Sequence, residues 1–196
     1  RITSDGNTIL GADDKAGIAA IFEALHCLKE QNIPHGDLQV VFTVAEEGGV
    51  NGSKNMDHSL LKADLGYTLD TGGHPGKITC RAPGQDKIFV KIQGKSAHAG
   101  IAPENGINAI SAAAHIITKL PPARIDEETT CNIGKISGGG ATNIVPDLVE
   151  IAGESRSRNK EKLAALTKNI CDIFKTGASE TNTKIEVEVR HSYDPY

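Results

Sequence analysis

No apolar run in the 196-residue chain approaches 18 residues, so nothing in it is long enough to cross a membrane as a helix. There is no excess of base either. Lysine and arginine number 21 against 25 acids, a formal charge of −4, and no basic stripe is present to neutralise phosphates. The expected partners accordingly include neither nucleic acid nor membrane. No secretory signal opens the chain, which starts at Arg1. The four cysteines, Cys27, Cys80, Cys131 and Cys171, show no C-x-x-C spacing. A disulfide framework belongs to shorter, cysteine-denser chains. These four read as small buried hydrophobes of a protein kept in a reducing cytoplasm.

What is present divides into two halves. In the first, apolar residues at Ile18, Ile21, Phe22, Leu25 and Leu28 recur at helical spacing between positions 14 and 32. The run Leu38-Gln39-Val40-Val41-Phe42-Thr43-Val44-Ala45 is apolar nearly throughout, as a parallel strand covered on both faces would be. Residues 65–70 read as a second short strand, and residues 52–61 as a short helix between the two. This is α/β layering.

The second half begins after Arg81-Ala82-Pro83-Gly84, where the chain is expected to cross between domains. Ile88, Val90 and Ile92 alternate with Phe89, Lys91 and Gln93. A helix is expected over about 105–119, with Ile107, Ile110, Ala114 and Ile117 on its inner side. Strands follow at about 131–137 and 147–154. A second helix starts near Asn159, a good N-cap, with Leu163, Leu166, Ile170 and Phe174 facing inward. Residues 184–190 alternate cleanly. The order β-α-β-β-α-β is the ferredoxin-like arrangement. The fold class expected is thus α/β, with a first α/β domain over 1–82, a ferredoxin-like domain over 83–191, and a return segment over 192–196.

Four acids stand at the ends of the first-half strands or just beyond: Asp13 before a helix, Glu46 and Glu47 after Ala45, and Asp70 before Thr71-Gly72-Gly73. Ligands of parallel α/β sheets gather at the carboxyl ends of strands. Carboxylates converging there repel one another unless cations are present, and Zn2+ is the usual cation for hydrolysis. Taken singly, Asp13 or Asp14 could cap the helix, Glu46-Glu47 could be a solvated loop, and Asp70 a turn residue.

A phosphate-binding loop is excluded by position. Gly94-Lys95-Ser96 matches the end of such a loop, but Phe89 stands where its first glycine is needed.

Together, Leu10-Gly11-Ala12-Asp13-Asp14-Lys15-Ala16-Gly17, Phe42-Thr43-Val44-Ala45-Glu46-Glu47-Gly48 and Leu69-Asp70-Thr71-Gly72-Gly73 resemble the peptidase T branch of the zinc metallopeptidases related to aminoacylase and glutamate carboxypeptidase. The resemblance implies two Zn2+ ions bridged by Asp13, with Glu47 and Asp70 as further ligands and Glu46 as general base. Gly94-Lys95-Ser96-Ala97-His98-Ala99-Gly100, Gly138-Gly139-Gly140-Ala141-Thr142-Asn143 and Glu154-Ser155-Arg156 are similar to the family's lid. They imply substrate-binding roles for His98, Asn143 and Arg156, and a homodimer through the lid.

The family's His-x-Asp motif and its C-terminal histidine ligand are not found here. The expectation is a piece lacking both ends, the first motif lying upstream of Arg1 and the second beyond Tyr196, and inactive by itself. The activity implied is removal of the N-terminal residue from short peptides such as tripeptides. Other amide hydrolases of the family (dipeptidase, carboxypeptidase, N-acyl amino acid deacylase) stay open as alternatives, as does a non-catalytic dimerisation or binding module.

Overall fold

A computed structural model describes residues 2–196. The chain divides into two units, Arg1–Thr79 and Cys80–Tyr196, which are described separately.

In the first unit, helix α1 (Lys15–Glu30) is capped by Asp14, whose carboxylate accepts from the Gly17 amide at 3.0 Å. Gly17 is buried because the chain passes against it. A Cβ there would lie 2.3 Å from the carbonyl oxygen of Leu69. Phe22 meets Phe42 with ring centroids 6.0 Å apart. Helix α2 (Asn51–Lys54) is equally close to residue 44, since a Cβ on Gly52 would lie 2.3 Å from the Val44 carbonyl oxygen.

The strands expected at 38–45 and 65–70 are not formed: neither segment carries a ladder, and Leu38, Val40, Phe42, Val44, Leu65 and Tyr67 are all exposed. Apolar runs mark the demand for burial. A parallel strand also needs neighbours to take its N–H and C=O groups, and none of the described residues of this unit supplies one.

The second unit holds the buried core. Strands β1 (Gly84–Gln93), β2 (Thr129–Gly138), β3 (Leu148–Ser157) and β4 (Lys184–Tyr193) form one antiparallel sheet in the order β2-β3-β1-β4. Helices α3 (Ala109–Ile117) and α4 (Lys160–Thr181) pack on one face. The chain order β1-α3-β2-β3-α4-β4 is the ferredoxin-like one. Alternation decides which residues go inward: Ile88, Val90 and Ile92 of β1 and Val149 and Ile151 of β3 are buried under the helices. From α4 come Leu163, Leu166, Ile170 and Phe174, as expected, and Asn159 caps it by accepting from Lys162 N–H at 2.8 Å.

The inner face of α3 differs from expectation. Ala109, Ala112, Ala113 and Ile116 are buried, whereas Ile110 is 45% exposed. Asn108 caps this helix by accepting from the amides of Ile110 and Ser111. The helix therefore starts later than position 105 and presents its small residues to the sheet. Close approach requires them. Gly177 of α4 leaves no room beside Ile116, where a Cβ would come within 2.4 Å. The cysteines also depart from expectation in part. All four are free, but only Cys131 is buried, and Cys80 is exposed.

The buried Asp86 of β1 is satisfied from two sides: the Thr167 hydroxyl donates to it at 2.7 Å, and the His191 ring lies 2.7 Å away. Next to it the chain closes on itself. Ala82 and Tyr196 exchange backbone hydrogen bonds of 2.8 and 3.2 Å, and Pro195 crosses directly over Gly84.

Candidate functional site

Two clusters of chemically capable side chains emerge, one in each unit. In the first unit, the passage of Leu69 over Gly17 places Asp70 beside the start of α1. Asp13, Asp14 and Asp70 each offer a carboxylate oxygen, and these oxygens lie within 4.8 Å of one another. Desolvation pushes the Asp70 carboxyl above its usual range, and the negative charges of Asp13, Asp14 and Glu46 push it further in the same direction. A raised carboxyl pKa means the folded chain keeps a proton that the unfolded chain has lost. Stability therefore falls as pH rises from the ordinary carboxylate value through the raised one. A cation held among these oxygens reverses that penalty.

Glu46 and Glu47 sit on a tight turn. The amides of Gly49 and Val50 both donate to the Glu46 carbonyl, at 2.9 and 2.7 Å. Ala45 and Val50, on either side, have φ of 55°, in the left-handed region that costs a non-glycine residue on the order of 1–3 kcal/mol. Such outliers gather where a side chain must be aimed. Glu46 is near enough to act on Asp70 electrostatically. Glu47 does not join the three aspartates, and no histidine does so among the described residues. Asp14 does join them while capping α1, a membership for which the adjacent Asp13-Asp14 pair was the available sequence signal.

In the second unit, His98 and Asn143 come together. The Ala99 amide donates to the Asn143 carbonyl at 2.9 Å, and His98 forms a bridge with Ile144. The Gly100 amide donates to Nδ1 of His98 at 3.2 Å, so a neutral ring carries its proton on Nε2. The glycine loop beside them, with Ile144, Pro146 and Asp147, lines an open cavity of about 480 Å³.

Arg156 lies at the other end of the sheet. It pairs with Gln85 across β1–β3, whereas His98 follows the far end of β1 at Gln93. At ~3.3 Å per residue this is roughly 26 Å of strand. Arg156 is held by Glu154, through Nε at 2.7 Å and Nη2 at 3.1 Å. That pairing lowers the Glu154 carboxyl below its ordinary range and raises the Arg156 guanidinium. Glu154 had no role assigned from the sequence; its i,i+2 spacing from Arg156 on a strand was the signal.

Known families match both units. Residues 83–182 match the M20 family described as peptidase dimerisation domain, and residues 3–94 match the family described as M42 glutamyl aminopeptidase. The "Uncharacterized protein YqjE" of Bacillus subtilis (strain 168) is 48% identical over 98% of this chain and 52% of its own length. The crystal structure of aminopeptidase PepT from Bacillus cereus is 49% identical, with a TM-score of 0.91 over 99% of this chain and 52% of that one. A tripeptidase from Staphylococcus aureus is 48% identical, with a TM-score of 0.94 and the same coverage. The chain thus spans about half the length of these relatives.

Proposed function

We propose, from the premise that this chain belongs to the M20 peptidase family and is peptidase T-like, that it carries the acidic half of a metal-dependent aminopeptidase site together with the lid that binds the peptide. The observation that carries this reading is the convergence of Asp13, Asp14 and Asp70, with Glu46 in electrostatic reach, around a carboxyl held above its usual range. Removal of an N-terminal residue is favoured over carboxypeptidase or deacylase action because the matched PepT structure and the family matching residues 3–94 are both described as aminopeptidases. Short peptides, tripeptides among them, are the substrate class. The lid unit is assigned homodimerisation from its family, and the cytoplasm is the assigned location.

The donor set fits a dication, since clustered carboxylates are otherwise mutually repulsive. Asp13 and Asp70 would hold the Zn2+ ions, with Glu47, which lies outside the three-aspartate group, as a further ligand. When bound, zinc supplies a Lewis acid that lowers the pKa of the attacking water toward ~7. Glu46 accepts that water's proton and delivers it to the leaving amine as the peptide C–N bond breaks and the new C–O bond forms. Three extended residues span only about 11 Å, whereas roughly 26 Å of strand parts Arg156 from His98. His98, through its Nε2 proton, and Asn143 would therefore hold the carbonyl groups of one bound peptide and Arg156 the carboxylate of another.

Two tests belong to this reading. Catalytic zinc sites use about three protein ligands per ion, commonly including imidazole, and the described cluster offers carboxylates alone. The 196-residue chain is expected to retain substoichiometric zinc after dialysis and to hydrolyse no tripeptide; two tightly held zinc ions per chain by elemental analysis would contradict the ligand assignment. The lid is expected to survive as a unit. Because Ala82 and Tyr196 pair with each other, trypsin should cut at Lys77 before Arg81 and leave a stable product running to Tyr196. Early cutting within α4 would refute the assignment of the lid as an independent domain.

A further inference from the structure

Arg156 lies on the sheet face that the helices leave open, and its guanidinium is gripped along one edge only. Nε and Nη2 donate to the two carboxylate oxygens of Glu154. Gln85 Nε2 braces that carboxylate from β1, donating to Oε2 at 2.7 Å. Guanidinium offers five N–H donors in one plane. Side-on pairing uses Nε–H and one Nη2 hydrogen, leaving the terminal edge of Nη1 and Nη2 without a partner among the described residues. That free edge has the fork geometry that receives a second carboxylate.

Lys87 stands directly across the β1–β3 register from Glu154, and it makes no ion pair among the described residues. Two cations and one anion leave this patch with a charge of +1. A second pair on the same face is an internal control. Glu188 grips Arg190 at 2.6 and 3.1 Å in the same i,i+2 manner. It has no glutamine brace, its side chains are 58% and 63% exposed against 35% and 39% for Glu154 and Arg156, and Arg190 lies over the Phe89 ring.

We propose that Glu154 is a positioning residue. Seated by Gln85, it fixes Arg156 so that the free guanidinium edge, beside Lys87, receives the terminal carboxylate of a short peptide. This rests on Arg156 being the carboxylate-binding residue of the reading above. Without Glu154 the long arginine side chain regains its rotamers, and the carboxylate must order it on binding.

The test is an NMR titration of the 196-residue chain with trialanine as free acid and as C-terminal amide, following the Arg156 Nε–H resonance. The free acid should shift that resonance and bind about fivefold to tenfold tighter than the amide. Glu154→Ala should reduce this preference to under about twofold, and Glu154→Gln, which keeps the brace and one acceptor, should reduce it partly. Glu188→Ala should leave it unchanged. In an Arg156→Ala background, Glu154→Ala should add nothing, since it acts only through the arginine. A preference that survives both Glu154 variants, or losses that add, would overturn the positioning role while leaving Arg156 in place. A preference absent from the wild type, or surviving Arg156→Ala, would overturn the assignment of Arg156 itself, and the positioning role with it. An unchanged urea midpoint separates these effects from unfolding.

Discussion

Glu46→Gln, in a full-length peptidase carrying this sequence, should lower kcat by roughly 10²–10⁴ with its metal content unchanged. Glutamine keeps the size and one acceptor of glutamate but cannot take the proton that must reach the leaving amine. The positive-φ residues Ala45 and Val50 flank the turn that carries Glu46, and its charge reaches Asp70. Glu47→Gln should behave differently, weakening one metal site and restoring part of its activity when zinc is added in excess. Turnover with saturating zinc and elemental analysis of the dialysed protein separate the two variants. Loss of zinc in Glu46→Gln with retention in Glu47→Gln would exchange their roles. Unchanged turnover in both would remove the pair from the mechanism.

Phe174→Ala in the 196-residue chain should destabilise the lid by about 3–5 kcal/mol, the usual cost of emptying a buried aromatic site. Phe174 is fully buried at the heart of the cluster formed by β1, β3, α3 and α4. Its neighbours cannot collapse freely into the void. Gly177 already leaves no room beside Ile116, and α3 meets the sheet through alanines. The urea midpoint of the second unit measures this directly. A loss below about 1 kcal/mol would mean that the site collapses or refills with ease, contrary to the packing described.

The lid was largely legible in the sequence, and for definite reasons. Leu163, Leu166, Ile170 and Phe174 repeat at helical spacing behind the Asn159 cap, and every one is buried. Alternation in 88–92 assigned the inner face of β1 correctly. The inner face of α3 was misread because isoleucine is a stronger periodic signal than alanine, yet close packing against the sheet selects the smaller residue. Residues 38–45 carry a buried strand's composition without forming one, since composition expresses a need for cover and cannot supply the hydrogen-bonding neighbour.

For the candidate sites, residue chemistry was readable as local pattern. Acids at the ends of apolar runs, a histidine between two alanines and a strand arginine are all visible in short segments. Which of them meet was decided by tertiary structure. The approach of Leu69 to Gly17 brings Asp70 to Asp13 and draws in Asp14, while leaving Glu47 outside that group. Register across β1 and β3 parts Arg156 from His98 and sets Gln85 and Lys87 around Glu154. By itself, then, the sequence determined the lid's element types, its connectivity and the family, because these depend on periodicity and short-range spacing. Convergence of side chains distant in the chain was left to the fold, since it depends on backbone approach and strand register, which no local pattern encodes.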